Sequence, residues 1–295
     1  CYMVIQALHT NMDGWSLALA TEKWGDCYNY LLNQHDDESR LETDKYLQFI
    51  DESNQYISSH QYQKDQLFWQ QALPNLPSPI FQKRYLTIEE ENERLAPAYL
   101  SQQHVAPELR QEILDFCKAN QVTAFQFYLA LLSIYLCRTQ RLDEIVIGVP
   151  SLNRSGNKYK NTIGMFVTVL PLTIKYNKDM GFLTLVREIG KSLKQSYRHS
   201  KYPLSHHAKR LEVVRAGRDR LFDVIFSYEE FSFETQYGEA ILHETKQTFA
   251  ELSRYPLALS LCDFVGAKDT EIVIESHSGY FSQDEGVLIG ARLIS

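Results

Sequence analysis

The sequence predicts a mixed α/β protein. Three observations carry this prediction: helix-like and strand-like segments alternate over much of the chain, strand-like segments cluster toward its end, and no internal repeat is found. With 295 residues, 44% hydrophobic and 23% charged, the composition is that of a globular protein, and the length suits one large or two ordinary domains.

Charge and cysteine usage exclude several classes of protein. The formal net charge is −7 and there is no basic run, which argues against a nucleic-acid partner. The most apolar run, residues 124–137, is too short for a membrane span, which needs about 20 residues, so we expect a buried helix and no membrane association. Five scattered cysteines predict reduced thiols and a cytoplasmic protein.

The first part of the sequence predicts a strand followed by helices. The apolar run 3–8 predicts a strand that ends at His9, and Ser16 is expected to cap the next helix. Because the chain starts without Met and inside this predicted strand, we expect elements to be missing upstream. Further helices are predicted at 44–58 and 61–73.

A proline-rich segment predicts the boundary between two lobes. Residues 74–79 contain three prolines and form the clearest linker. We therefore expect residues 1–73 in one lobe and 74–295 in another. Beyond it, strands are predicted at 100–105, 144–149, 165–176, 222–228, 240–249, 257–264 and 271–276. Helices are predicted from Pro107, from a Thr123 cap, over 182–197 and from about 284, and surface loops at 36–38 and 89–93.

The pattern His9-x-x-x-Asp13-Gly14 is the best candidate for chemistry. A histidine at the end of a strand is well placed as a general base, an aspartate four residues later can brace the turn, and a glycine admits close backbone approach. Alone, this short pattern is weak, because chance supplies it often. The pair His206-His207 lacks a carboxylate or cysteine at ligand spacing, so no metal site is predicted.

Six blocks, in order, resemble the condensation domain of nonribosomal peptide synthetases. They are Leu8-His9-Thr10-Asn11-Met12-Asp13-Gly14-Trp15-Ser16, Phe68-Trp69-Gln70-Gln71-Ala72-Leu73, Thr123-Ala124-Phe125 with Asp143–Pro150 and Asn153-Arg154, Ile163-Gly164-Met165-Phe166-Val167, Tyr202-Pro203-Leu204, and Ser253-Arg254-Tyr255-Pro256-Leu257. The resemblance implies a chloramphenicol-acetyltransferase-like fold, with two lobes in a V, a tunnel between them and a first lobe that is incomplete here.

The resemblance also implies a reaction and its partners. The amine of an aminoacyl thioester attacks an acyl or peptidyl thioester to form an amide, and donor and acceptor carrier proteins present both on phosphopantetheine arms. An adenylation domain is expected next to this domain, which binds no cofactor of its own.

The family pattern assigns roles to individual residues. His9 is expected to act as general base or to orient the amine, and Asp13 to be a structural brace paired with Arg154. Gly14 is expected to have a positive φ or to lie close to the pantetheine arm. The substrate channel is expected to include Trp15, Ser16, Tyr228 and Glu230.

Two departures from the family pattern leave alternatives open. Leu8 stands where the family has the first motif histidine, and Thr168-Val169 replaces an Asn-Thr pair. A non-catalytic docking domain that recruits another enzyme is one alternative, and an epimerisation variant stays open. A free-standing acyl-CoA acyltransferase is another, for which Asp263-Phe264-Val265-Gly266 is a partial echo of the motif in such enzymes.

Overall fold

Helices and strands are mixed along the chain in the computed structural model, which describes residues 4–32, 45–85, 96–154, 158–229, 236–241, 252–263 and 270–295. The helices are α1 (Gly14–Leu32), α2 (Tyr46–Ile57), α3 (His60–Ala72), α4 (Pro107–Asn120), α5 (Ala124–Gln140), α6 (Phe182–Arg198), α7 (Leu204–Arg210) and α8 (Gln283–Ile294). The strands are β1 (Ala96–Val105), β2 (Glu144–Ser151), β3 (Thr168–Lys175), β4 (Val224–Glu229), β5 (Gln236–Tyr237), β6 (Ala240–Ile241), β7 (Leu252–Ser253), β8 (Leu257–Cys262) and β9 (Thr270–His277).

The chain separates into two compact units. Unit 1 comprises Cys1–Tyr62, Ser151–Thr168 and Phe231–Thr248. Unit 2 comprises Gln63–Pro150, Val169–Glu230 and Phe249–Ser295. The proline-rich segment 74–79 lies inside unit 2, and a lobe boundary at these residues stays a prediction.

Unit 1 packs α1 against the short β5–β6 hairpin. The rings of Tyr28 and Tyr237 meet edge to face with centroids 5.8 Å apart. The Gly238 N–H donates to Asn29 Oδ1 at 2.6 Å, and Gly238 has a φ of +61°, which glycine adopts without steric cost. The hairpin turn is thus tied to the last turns of the helix.

Unit 2 is built on a seven-stranded sheet with the order β3-β2-β4-β8-β9-β1-β7. The pairs β2/β4 and β4/β8 are parallel, whereas β8/β9, β9/β1 and β1/β7 are antiparallel. Side chains along most of β8 alternate in burial, most of β9 is buried, and Leu257, Leu261 and Ile274 are fully buried. The sheet therefore forms the core of this unit.

The predicted buried helix is α5. Thr123 caps it, as predicted, and the structure shows a reciprocal capping box with Gln126; Leu129, Leu132 and Leu136 are buried. In the described part of the chain, no single helix has the length and apolar composition of a membrane span, although α4 and α5 together, bent by 106°, meet that test.

Two sequence predictions about strands are wrong. Residues 4–8 are irregular, since none of the described strands pairs with them, and Val4 and Leu8 are exposed. The strand predicted from 165 begins only at Thr168. The predicted loops 36–38 and 89–93 and most of the predicted strand 240–249 lie outside the described residues.

Candidate functional site

His9 lies on a turn at the entrance to α1. The Asn11 N–H donates to the Leu8 carbonyl at 2.9 Å, which closes a turn over residues 8–11. His9 is exposed, and among the described residues its ring makes no hydrogen bond or ion pair. A side chain in this position can meet an incoming substrate.

Asp13, and not Ser16, caps α1. The helix begins at Gly14, and Asp13 Oδ1 accepts the Ser16 N–H at 2.8 Å, the hydrogen bond of a typical N-cap. The prediction that Ser16 caps the helix is therefore wrong: Ser16 is the third helical residue. Asp13 lies four residues after His9, and its side chain is held by its hydrogen bond to the first turn of the helix.

Arg154 forms a buried ion pair with Asp13. Its Nη2 lies 2.9 Å from Asp13 Oδ1 and 3.2 Å from Oδ2, and the two side chains are 3% and 0% exposed. β2 ends at Ser151, and Asn153 then adopts a left-handed φ of +53°, which asparagine tolerates better than most residues. This bend in the chain lies directly before Arg154.

The other terminal nitrogen of Arg154 binds backbone carbonyls. Nη1 donates to the Tyr159 carbonyl at 2.8 Å and to the Thr162 carbonyl at 2.6 Å. The guanidinium carbon lies 4.1 Å from the centroid of the Phe166 ring, a cation–π contact. Arg154 therefore binds Asp13 and also orders the loop that leads to residue 163.

Segment 163–167 lies against the start of α1. Asp13 Oδ2 accepts the Phe166 N–H at 3.0 Å and the Val167 N–H at 3.3 Å. Ser16 Oγ donates to the Gly164 carbonyl at 2.7 Å and accepts the Gly164 N–H at 3.0 Å. Backbone donors of this segment are therefore used by side chains, which is why β3 starts later than predicted.

Ser16 also accepts a hydrogen bond from Arg154 Nη2, at 2.7 Å, and is fully buried. Such a hydroxyl, with both backbone and guanidinium partners, holds structure together. The expected channel role of Ser16 stays a prediction that these contacts do not favour.

Asp13 is an ionised carboxylate at neutral pH. Burial alone would raise its pKa, but hydrogen bonds from Ser16 and from the Phe166 N–H, together with the positive charge of Arg154, outweigh burial and lower it below the ordinary value of 3.8. A carboxylate that accepts so many hydrogen bonds is a brace and a poor proton donor.

Gly14 and Trp15 lie in the first turn of α1. Gly14 is not among the described glycines with positive φ, because a residue inside a helix has helical φ, so of its two expected roles the positive φ is excluded. Trp15 is half-buried, and its indole N–H donates to the Lys160 carbonyl at 2.9 Å. Proximity of either residue to substrate stays a prediction.

Tyr228 belongs to unit 2, on β4. Its hydroxyl donates to Asp263 Oδ2 at 2.7 Å, and Asp263 Oδ1 also accepts from Arg110 Nη2 at 2.7 Å. This cluster holds the end of β4 to the end of β8 and the start of α4. Glu230 lies outside the described residues.

In the described ranges, no group of three or more His, Cys, Asp or Glu side chains is arranged to hold a metal ion. The His207 ring is buried and its Nε2 lies 2.9 Å from the Leu73 carbonyl, which explains the residue as part of the core of unit 2.

The sequence interpretation missed Tyr46 as part of this site, and it gave Ser16 a capping and a channel role without the contacts to Gly164 and Arg154. Tyr46 lies on α2, and its hydroxyl donates to the Met165 carbonyl at 3.1 Å. No local pattern links residue 46 to residue 165, so only the folded chain reveals this contact.

Comparisons with known proteins identify the family. A family model described as Condensation domain matches residues 1–282. Surfactin synthase subunit 1 of Bacillus subtilis (strain 168) is 27% identical over 84% of this chain, which corresponds to 7% of that protein. A plipastatin synthase of the same organism is 23% identical over 97% of this chain and 11% of its own length. The chain thus spans about a tenth of these relatives.

Solved structures share the fold. The first condensation domain of the calcium-dependent antibiotic synthetase, in complex with a substrate analogue, has a TM-score of 0.79 at 17% identity, covering 97% of this chain and 61% of that chain. The condensation domain of the monacolin K polyketide synthase MokA has a TM-score of 0.78 at 16% identity, covering 96% and 66%. The chain thus has the chloramphenicol-acetyltransferase-like fold predicted from its sequence motifs, and it belongs to the condensation domain family of nonribosomal peptide synthetases.

Proposed function

We propose that this protein is an acyltransferase that forms an amide bond between two carrier-bound substrates. The donor is an acyl or peptidyl thioester and the acceptor an aminoacyl thioester, each on the phosphopantetheine arm of a carrier protein. The observation that carries the proposal is the ordered start of α1, where Asp13 is fixed by Arg154 and by backbone donors while His9, four residues earlier, stays exposed.

His9 is the residue that handles the proton. As the acceptor amine attacks the donor carbonyl, a C–N bond forms, the C–S bond breaks, and the amine loses a proton. The His9 imidazole accepts this proton or orients the amine, and the departing pantetheine thiolate receives a proton in turn. The catalytic residue is His9, because Asp13 is a brace that stays ionised.

Arg154 and Asp13 position the turn that carries His9. The Asp13 carboxylate has five polar contacts: two with Arg154 and one each with the N–H groups of Ser16, Phe166 and Val167. This ties α1 to residues more than 140 positions away in the sequence. A rigid first turn of α1 limits the motion of the preceding residues.

The experiment loads defined acyl and aminoacyl groups on carrier proteins and measures dipeptide by mass spectrometry. The protein should form product, and His9→Ala should lower the single-turnover rate by about 100-fold or more. His60→Ala, which removes another exposed histidine of unit 1, is the matched control and should keep the rate. Equal rates for His9→Ala and the unchanged protein would overturn the role of His9.

A docking domain without catalytic activity is the second candidate. Leu8 occupies the position of the first motif histidine and is 73% exposed, and no side chain in the described ranges orients His9. Absence of product from every carrier pair, with binding of a tailoring enzyme retained, would favour this candidate.

The alternative of a free-standing acyl-CoA acyltransferase is tested in the same assay. Asp263, which begins the partial echo of the acyl-CoA enzyme motif, binds Arg110 and Tyr228. Amide formation from free acyl-CoA at the rate of the carrier-bound donor would support that alternative over our proposal. A cytoplasmic location and an adjacent adenylation domain are part of our proposal.

A further inference from the structure

Tyr46, the first residue of α2, packs on the segment that holds Asp13. Its hydroxyl donates to the Met165 carbonyl at 3.1 Å. An ideal Cβ built on Gly164 would overlap this ring, and its three nearest atoms all belong to Tyr46. The ring therefore occupies the space that any side chain at position 164 would need.

Phe166 is enclosed between α2 and Arg154. The Phe166 ring centroid is 5.3 Å from that of Tyr46 and 4.4 Å from that of Phe49, while the Arg154 guanidinium carbon lies 4.1 Å from it. The backbone N–H of Phe166 donates to Asp13. Aromatic packing from α2 thus helps to hold Phe166, whose N–H donates to the Asp13 carboxylate.

Gly164 has no side chain, and this leaves room for the Tyr46 ring. Gly164 is not among the described glycines with positive φ, so its backbone conformation makes no demand for glycine. Its N–H and carbonyl are both bound to Ser16. A methyl group at this position would therefore act through Tyr46 and not through strain at residue 164.

We infer that Tyr46 is a positioning residue for the reaction at His9. It contacts segment 163–167 from α2, while Asp13 and Ser16 bind the same segment from α1, so the segment is clamped between the two helices. The inference rests on the proposed function, because its effect on turnover is exerted through Asp13 and the turn that carries His9.

Turnover of five variants, one of them a double variant, tests the inference. Tyr46→Phe removes only the hydroxyl and should lower kcat about three- to tenfold with KM for both loaded carriers unchanged. Gly164→Ala should lower kcat more than about tenfold, yet add less than about twofold when combined with Tyr46→Ala, because the ring that it displaces is then absent. Tyr197→Phe, whose hydroxyl also bonds a backbone carbonyl but in unit 2, is the control and should keep kcat.

Additive effects of Gly164→Ala and Tyr46→Ala, or an effect of Tyr46→Phe on KM alone, would overturn the inference. Should Tyr46→Ala fail to fold, the comparison of Tyr46→Phe with Tyr197→Phe still decides it.

Hydrogen exchange separates this inference from the proposed function. The amides of Phe166 and Val167 should exchange about fivefold faster or more in Tyr46→Phe and in Gly164→Ala than in the unchanged protein, with amides of β8 unaffected. Unchanged exchange overturns the clamp whatever the activity. Absence of product from the unchanged protein, with exchange accelerated as expected, overturns the proposed function and with it the effect on turnover, but leaves the clamp supported.

Discussion

Replacing Arg154 by alanine tests how much the buried ion pair contributes to the site. The side chains of Arg154 and Asp13 are 3% and 0% exposed, so removing the cation leaves a carboxylate in a region that water does not reach. Breaking a buried pair in this way costs about 3–5 kcal/mol. Because Asp13 keeps three backbone N–H donors, we expect the lower part of this range, about 3 kcal/mol, from the lost pair.

Further contacts of Arg154 add to this value. The Tyr159 and Thr162 carbonyls lose their donor, and Phe166 loses a cation–π contact of about 1 kcal/mol. We therefore expect Arg154→Ala to lower the free energy of unfolding by about 4 kcal/mol. Since domains are stable by about 5–15 kcal/mol in total, the variant should be folded but markedly weakened.

The assay is urea unfolding followed by circular dichroism, paired with dipeptide formation below the transition. Arg187→Ala removes an arginine that is exposed on α6 and serves as the control, with a change below about 0.5 kcal/mol. In the Asp13→Ala background, Arg154→Ala should cost about 1–3 kcal/mol less than alone, because the carboxylate has gone. An Arg154→Ala protein with unchanged unfolding energy and unchanged turnover would refute the reasoning.

Three further predictions concern the rest of the molecule. Burial lowers the pKa of His207 despite its hydrogen bond to the Leu73 carbonyl. The stabilising contribution of His207 is therefore complete above about pH 6.5 and is lost as pH falls through the lowered pKa. In this pH range, His207→Gln should reduce the slope of the free energy of unfolding against pH by up to about 1.4 kcal/mol per pH unit. Burial raises the pKa of Cys262 to about 12, and of the four described free cysteines only Cys27 is not buried. Cys27 should therefore react first with a thiol reagent, as peptide mapping can show. Thr123→Ala removes the cap of α5 and should cost about 1 kcal/mol in urea unfolding.

Local sequence patterns predict most of the helices but misplace the start of α1. Both Asp13 and Ser16 are good capping residues, and they lie three positions apart, so the helix could begin after either. What decides between them is Gly164, which engages the Ser16 hydroxyl through both its backbone groups and leaves Asp13 to accept from the first turn. That contact spans 148 positions in the sequence and has no local signature.

Local sequence patterns also misplace the start of β3. Apolar residues from Met165 onward fit a strand, but the Phe166 and Val167 N–H groups donate to Asp13 and are not available for a sheet. Apolar alternation reports which residues suit a pleated surface, whereas the hydrogen-bond partner is set by tertiary structure. The run 4–8 fails as a strand for a related reason, since a strand needs a neighbour to pair with.

The candidate site itself depends on three segments that are distant in sequence. Residues 9–16 supply the proposed base, His9, and the Asp13 carboxylate, Arg154 supplies the cation, and residues 163–167 supply backbone donors. Each segment is ordinary when read alone, because a histidine, an arginine after a strand and a glycine in an apolar run occur in most proteins. Their value as a signal comes from occurring together in a fixed order, and the structure gives the physical reason: Asp13 and Ser16 bind both Arg154 and segment 163–167, and the Arg154 guanidinium packs on the Phe166 ring. A substitution in any one segment should therefore be felt in both others, and variants drawn from two segments should combine non-additively.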